Sequence, residues 1–540
     1  MKHLIYLLIA SLLVACSLDE KPRDQIPEEA AYTTPENLYR NTVATLYNYI
    51  GGAEDGEGLQ GTCRGVYDLQ TFGSDEAMLP TRGSDWYDGE LWQHMYRHSW
   101  NAGLEISKNA WVYLYKVIAL CNHSLEQIEA HQEILSTKQL VAYKAEVRAL
   151  RAIYYWYLLD LFGRVPIITS SDINMSMVQQ ATRSELFKFV YNELVDVRKQ
   201  LPLGHSAMRG NLYGRVTTSV ANFVLAKLAL NAEVYTDDDW TDGQRPDGSQ
   251  ILLQMDNHSY TAWEAVVVFC DEIEDEGFQL EADYADNFIV NNERSTENIW
   301  VIPMDDNLYK AEQQNLYRSF HYRHAAIYGF TGENGSCATH HTLQVFGYET
   351  PEEDSRFKLN YWAGEVVSTD GTPVLDRKGN NLTYYPWEVM LDLSGSPYVE
   401  TAGARMKKYE VDRNATKDGK LMDNDIVLFR YADVLLMRAE ARLRQGETTL
   451  GQIDFDAVRT RAGMPKRPLT LQNLYDERLL ELCWEGWRRQ DMIRFGKYNS
   501  LFMGDAFDAK VDETDGHTTV YPIPADVIAL NNLLVQNKGY

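Results

Sequence analysis

A chain of 540 residues that is 45% hydrophobic and 24% charged has the make-up of a folded globular protein, with material for one large core or roughly two to three domains. Its 78 acidic residues outnumber the 51 basic ones, for a formal net charge of −27, and no Lys/Arg cluster offsets that field. This argues against nucleic acid as a partner and against direct docking on an anionic membrane surface, since both need a basic face. Beyond Cys16 the cysteines are Cys63, Cys121, Cys270, Cys337 and Cys483, an odd set, widely spaced and without a C-x-x-C pair. A disulfide framework would be denser. Cys121, Cys270 and Cys483 sit among apolar neighbours in helical patterns and read as small buried hydrophobes.

In chain order, the first element is an oily segment. Leu4 to Ala15 is apolar apart from Tyr6 and Ser11, follows Lys2 and His3, and is too short to span a bilayer, which takes roughly 20 residues. Residues 1–15 read as a secretory signal. The ending Leu13-Val14-Ala15-Cys16 resembles the lipobox of bacterial lipoproteins, which implies that Cys16 is acylated and begins the mature chain. Asp19-Glu20 resembles the short acidic signal that sends such lipoproteins to the cell surface, and residues 16–32 would be a lipidated tether.

Helical patterns follow. "TTPENLYRNTVATLYNYI" offers Thr34 as N-cap and Pro35 at the first helical position. Trp111, Leu114, Tyr115, Ile118, Cys121, Leu125 and Ile128 recur at three- and four-residue steps and mark one apolar helix face. "STKQLVAYKAEVRALRAIYYWYLLDLFGRVPII" opens at Ser136 and stops around Gly163, with Ala145, Ala149 and Ala152 as a small-residue stripe for close helix approach. Three more helices are predicted in "TRSELFKFVYNELVDVRKQLP", "TTSVANFVLAKLALNAEVYT" and "YTAWEAVVVFCDEIEDEGF". From about 277 to 425 the chain turns rich in Gly, Pro, Asn, Asp and aromatics, with strand-like pieces such as "NIWVIPM". Helices return in "IVLFRYADVLLMRAEARLRQGE" and "TLQNLYDERLLELCWEGWRRQDMIRFG".

The expected fold is mostly α: tetratricopeptide-like hairpins forming a scaffold, although no strict repeat of about 34 residues is visible. An irregular stretch this long carries function, because bare connectors of that length are uncommon. The expected division is an N-terminal helical region 33–276, an irregular insertion 277–425 and a C-terminal helical region 426–540, with 33–540 one compact unit.

The pieces "YKAEVRALRAIYYWYLLDLFGRVPII", "FRYADVLLMRAEARLRQGE", "VRTRAGMP", "DERLLELCWEGWRRQDMIRFG" and "VYPIPADVIALNNLLVQNKGY", taken in order, resemble the SusD/RagB family of surface glycan-binding lipoproteins. That resemblance implies a scaffold of about four tetratricopeptide-like helix pairs. It also implies a ligand site built largely by the irregular region, and a SusC-like TonB-dependent transporter as partner. The implied ligand is an oligosaccharide, delivered without cleavage; a peptide, as some RagB-type relatives take, is the alternative. No cofactor is implied.

Several motifs suggest chemistry and have plainer readings. Glu477 and Glu481 lie one turn apart, a spacing that could pair an acid with a base, but glycosidase carboxylates face each other across a cleft. With Arg478, Arg488, Arg489 and Arg494 nearby, ion pairing that anchors the helix is expected. "GEGLQG" matches G-x-G-x-x-G, but it lacks the strand before and the helix after that a dinucleotide site needs, and reads as a flexible loop. "HMYRH" puts His94 and His98 four apart without the H-E-x-x-H glutamate, so surface histidines are expected. "TDDDWTDG" misses the EF-hand register and reads as a solvated loop. No metal site is assigned.

A sugar surface needs flat aromatic faces and hydrogen-bonding side chains. "GSDWYDGELWQHMYRHSWN" supplies Trp86, Tyr87, Trp92, Tyr96 and Trp100 among Asp85, Asp88, Arg97 and Asn101. Trp100, close to the next helix, equally suits a plug beneath a loop. A second pool in the insertion holds Tyr309, Tyr317, Tyr322, Tyr328, Tyr361, Trp362, Tyr384, Tyr385 and Trp387. The ligand-binding candidates are Trp86, Tyr87, Trp92, Trp100, Asn101, Tyr309, Tyr361 and Trp362. Trp111, Trp156 and Trp484 fall within helical periods and are expected in the core.

Overall fold

A computed structural model describes residues 31–305, 312, 315–368, 370–499 and 515–540. Cys16, the signal segment 1–15 and Tyr309 lie outside the described residues. The N-terminal helix begins as its sequence dictates: Thr34 Oγ1 accepts from Asn37 N at 3.2 Å and Pro35 takes the first helical position. The long helices are α1 (Glu105–Ala130), α2 (Thr137–Phe162), α3 (Arg183–Val197), α4 (Thr218–Leu230), α5 (Ala262–Asp275), α6 (Tyr431–Arg444), α7 (Thr448–Arg461) and α8 (Leu471–Leu482), followed by the short α9 (Arg488–Arg494). Helices α2, α3 and α5 each open with a reciprocal capping box, Ser136/Gln139, Thr182/Glu185 and Thr261/Glu264, which satisfies donors that a helix start leaves free. Gly163, at φ +68°, ends α2.

Consecutive helices stack as tetratricopeptide-like antiparallel neighbours: α1 on α2, α2 on α3, α4 on α5, and α6 on α7. Ala145, Ala149 and Ala152 of α2 are all buried, as the small-residue stripe requires of a helix clasped from two sides. Trp111, Trp156 and Trp484 are core residues, and all five described cysteines are buried free thiols.

The irregular stretch interrupts the stack between α5 and α6, which nonetheless pack on each other. Its closure is visible: β1 (Asn298–Ile302) pairs antiparallel with β2 (Ile426–Arg430), and every residue of both strands is buried. The excursion also returns to the N-terminal half. Ala77–Met78 pairs with Cys337–Ala338, and Met78, Tyr96, Cys337, Val389 and Leu391 share a small apolar cluster. This contact brings the aromatic segment 84–101 against the insertion.

Glu477 and Glu481 are fully buried and belong to an ion-pair network. Glu481 meets Arg356 (2.7 Å), Arg430 (2.5 Å) and Arg461; Glu477 meets Arg356 (2.8 Å) and Arg459 (2.5 Å). The partners differ from those nearest in sequence. Arg478 pairs with Asp433 and Asp491, Arg488 with Asp75, Arg489 with Asp160 and Arg494 with Glu440, so these arginines tie α8 and α9 to other elements. Burial alone would raise the Glu481 pKa; Arg461, Arg430 and Arg356 outweigh it and hold the carboxyl well below the usual range. A carboxylate buried among arginines and held ionised has no proton to donate.

Two expectations are corrected. The "GEGLQG" segment is largely buried and closely packed rather than flexible: at Gly52 just before it, φ is +69°, and a Cβ would lie 2.5 Å from the carbonyl carbon of Glu57. His98 is buried rather than on the surface, its Nε2 2.6 Å from Gly73 O, because the short helix Leu91–Arg97 ends on the core; His94 stays partly exposed. The "TDDDWTDG" loop is held by Asp238 to Ser184 and by Lys538 to Asp239.

Candidate functional site

Ser84, Asp85, Trp86 and Asp88 of the segment 84–90 form one wall of an open cleft of about 520 Å³, completed by Asp55, Arg64, Tyr322, Glu333 and Lys420. The loop itself is strained. Trp86, Asp88 and Glu90 all have positive φ (59°, 42° and 68°), a region that costs non-glycine residues on the order of 1–3 kcal/mol each and persists only where neighbours enforce it. The enforcing contacts are specific. Asp88 Oδ2 accepts from Arg64 Nη2 and from Trp92 Nε1, both at 2.8 Å, while Trp86 Nε1 donates to Glu333 O at 2.9 Å. Gly335 admits the indole: a Cβ there would stand 2.8 Å from Trp86 Cε2. Strain concentrated on one loop of a cleft, and held there by such contacts, points to a functional surface.

The facing wall comes from the insertion. Tyr322 opens the short helix Tyr322–Ala326 and donates its hydroxyl to Asp85, joining the two regions; burial and the Asp85 charge both push its pKa upward. Arg377 lies over the Tyr322 ring at 5.4 Å and reaches Glu400 at 3.9 Å. Glu333 is raised above the ordinary carboxylate range, mainly by burial. For Arg64, burial works to lower the pKa, but neighbouring Cys63 and Asp88 outweigh it and the net shift is upward. The result is a polar recess with two aromatic rings, several carboxylate acceptors and two cationic donors. That mixture suits a ligand rich in hydroxyl groups and presenting a flat apolar face.

The structure sorts the sequence candidates. Trp86 is half-buried in the cleft wall, and Tyr87, beside it, is 48% exposed. Trp92, Trp100 and Tyr361 are corrected to core positions: they are 1%, 6% and 3% exposed, which leaves no ring face open for stacking. Each has a structural role. Trp92 braces Trp86 edge-on at 6.1 Å, Trp100 donates its Nε1–H to Tyr540 OH at 2.7 Å, and Tyr361 stacks on Phe357 at 5.2 Å. Asn101 is exposed but does not line the cleft; its Oδ1 accepts from Gly103 N at 2.8 Å. Trp362 is half-buried at a different depression, described below. Of the wider pool, Tyr317 and Tyr384 are buried, whereas Tyr385 and Trp387 are exposed away from the cleft lining. Sequence reasoning missed Asp55, Arg64, Glu333 and Lys420. For Asp55 and Arg64 a signal existed, since they flank the glycine-dense loop whose tight packing delivers them; Glu333 and Lys420 lie in irregular chain with none.

A stack of helix hairpins whose long insertion folds back to build an open aromatic and polar cleft defines a class of scaffold-borne binding proteins. The chain belongs to the SusD/RagB family. A family model described as "SusD family" matches residues 276–540, and one described as "Starch-binding associating with outer membrane" matches residues 18–230. Among curated proteins, the starch-binding protein SusD of Bacteroides thetaiotaomicron is 25% identical over 531 residues, covering 91% of this chain and 88% of that protein. A SusD-like protein of Bacteroides ovatus is 24% identical, covering 95% and 88%. Among solved structures, surface glycan-binding protein A from Bacteroides thetaiotaomicron, in complex with laminarihexaose, superposes with a TM-score of 0.70 at 20% identity, covering 94% of this chain and all of that one. A laminarin-binding SusD-like protein gives a TM-score of 0.69 at 19% identity, with the same coverage.

Proposed function

We propose that this protein is a surface lipoprotein that captures an oligosaccharide in the Trp86–Tyr322 cleft and delivers it to a SusC-like TonB-dependent transporter, cleaving no bond. The observation that carries this reading is the cleft itself: a strained, braced loop presents Trp86 opposite Tyr322, among side chains that can exchange hydrogen bonds with hydroxyls. The starch and laminarin ligands named for its relatives support a glycan as the ligand class. A peptide would call for apolar side-chain pockets at the site, and this cleft is lined mainly by charged groups. The burial of Glu477 and Glu481 in ion pairs supports a non-catalytic role.

Acylation at Cys16 would hold the folded body at the outer membrane, each buried CH₂ contributing about 0.8 kcal/mol. Asp19-Glu20 would direct it to the exterior. Residues 33–276 and 426–540 would serve as scaffold and 277–425 as the ligand-binding insertion. The test is calorimetric titration of the protein against a broad panel of α- and β-linked neutral and acidic oligosaccharides. Saturable binding of at least one is expected; no binding across the panel would overturn the reading.

A further inference from the structure

A second, smaller depression of about 280 Å³ has Trp362, Tyr328 and Tyr409 in its wall. Its charge is opposite in character to that of the cleft and of the chain as a whole. Lys407 Nζ sits 4.4 Å from the centre of the Trp362 ring, and the Arg413 guanidinium lies 5.3 Å from that of Tyr328. Neither cation has a carboxylate partner among the described residues, on a chain where acidic residues outnumber basic ones by 78 to 51. Lys407 donates one hydrogen bond, to Lys358 O at 2.8 Å, which leaves two of its three N–H groups. The third lining cation, Lys408, is already engaged by Glu485 at 2.6 Å. The one lining carboxylate, Glu410, accepts from Val290 N at 2.9 Å.

We propose that this depression is a binding site for a carboxylate or sulfate group carried on a ring, with Lys407 and Arg413 pairing the anion and the Trp362 and Tyr328 side chains flanking the ring. Two cations seated on aromatic faces without a counter-ion are an arrangement that a ligand anion completes, and charge-assisted hydrogen bonds are roughly twice as strong as neutral ones. Partial burial lowers the Lys407 pKa, a desolvation cost that an anionic ligand would relieve. The source could be an acidic sugar residue or a free small anion, and the site does not depend on what the Trp86 cleft binds.

The test is calorimetry with three probes: trigalacturonate, its carboxyl-reduced neutral counterpart, and inorganic sulfate. Trigalacturonate is expected to bind with an affinity that falls as salt rises, and to lose about tenfold or more in affinity in Lys407→Met/Arg413→Gln and in the solvent-facing single variant Arg413→Gln. The neutral trisaccharide is expected to be insensitive to both substitutions. Sulfate binding with the same sensitivity would identify a general anion site and support the assignment. Trigalacturonate that fails to bind, or binds equally well to Arg413→Gln, would overturn it. So would loss of trigalacturonate binding in Trp86→Ala, which would move that ligand to the cleft.

Discussion

Arg430→Ala is expected to destabilise the protein by about 3–5 kcal/mol, the range found when one partner is removed from a buried ion pair. Arg430 closes β2 with its side chain fully buried, 2.8 Å from Glu297, 2.5 Å from Glu481 and 2.8 Å from Glu485, and it also donates to Glu481 O at 2.6 Å. Truncation leaves these carboxylates in a low-dielectric interior with too few cations, and none can reach water. The cost would fall on the β1–β2 closure, so the insertion and the junction of α5 with α6 should loosen together. Urea unfolding followed by circular dichroism measures the change. The reference is the surface pair Arg40–Glu36, whose side chains are 68% and 72% exposed; Arg40→Ala should shift stability by no more than about 1 kcal/mol. Equal effects at the two arginines would refute the structural role given to the network.

Trp86→Ala is expected to weaken binding of whichever oligosaccharide the protein takes by about 2 kcal/mol or more, roughly 30-fold, the scale of a central aromatic anchor. Two losses combine. The indole face disappears, and the positive-φ loop loses the hydrogen bond from Trp86 Nε1 to Glu333 O that keeps it in place. Trp387→Ala, an exposed tryptophan outside the cleft lining, should leave affinity unchanged. Titration calorimetry on the two variants separates an anchored site from general surface stickiness. Unfolding measured alongside checks that the fold beneath the loop is intact, where Trp92 and Phe72 pack edge-on at 5.6 Å.

The scaffold was legible in the sequence because its causes are local. Ser136 with Gln139, Thr34 with Pro35, and the alanines of α2 state where helices start and which faces meet. The site was legible only in part. Trp86, Tyr87, Trp92 and Trp100 occupy one short polar segment, and composition cannot tell the rings that face the cleft from those that support it. That choice is made at long range: the pairing of Ala77–Met78 with Cys337–Ala338 and the small volume of Gly335 decide which ring meets solvent. His98 misled for the same reason, its partner Gly73 O being 25 residues away. The countercharges of Glu477 and Glu481 likewise came from Arg356, Arg430, Arg459 and Arg461 rather than from the arginines that follow them in sequence.

Whether the ligand sits in the Trp86–Tyr322 cleft is read out by hydroxyl-radical footprinting of the protein with and without a bound oligosaccharide. Trp86 and Tyr322 are predicted to become protected from oxidation when ligand is present, while Tyr385 and Trp387 react at the same rate in both states. Unchanged reactivity at Trp86 and Tyr322, with protection elsewhere on the surface, would place the ligand outside this cleft.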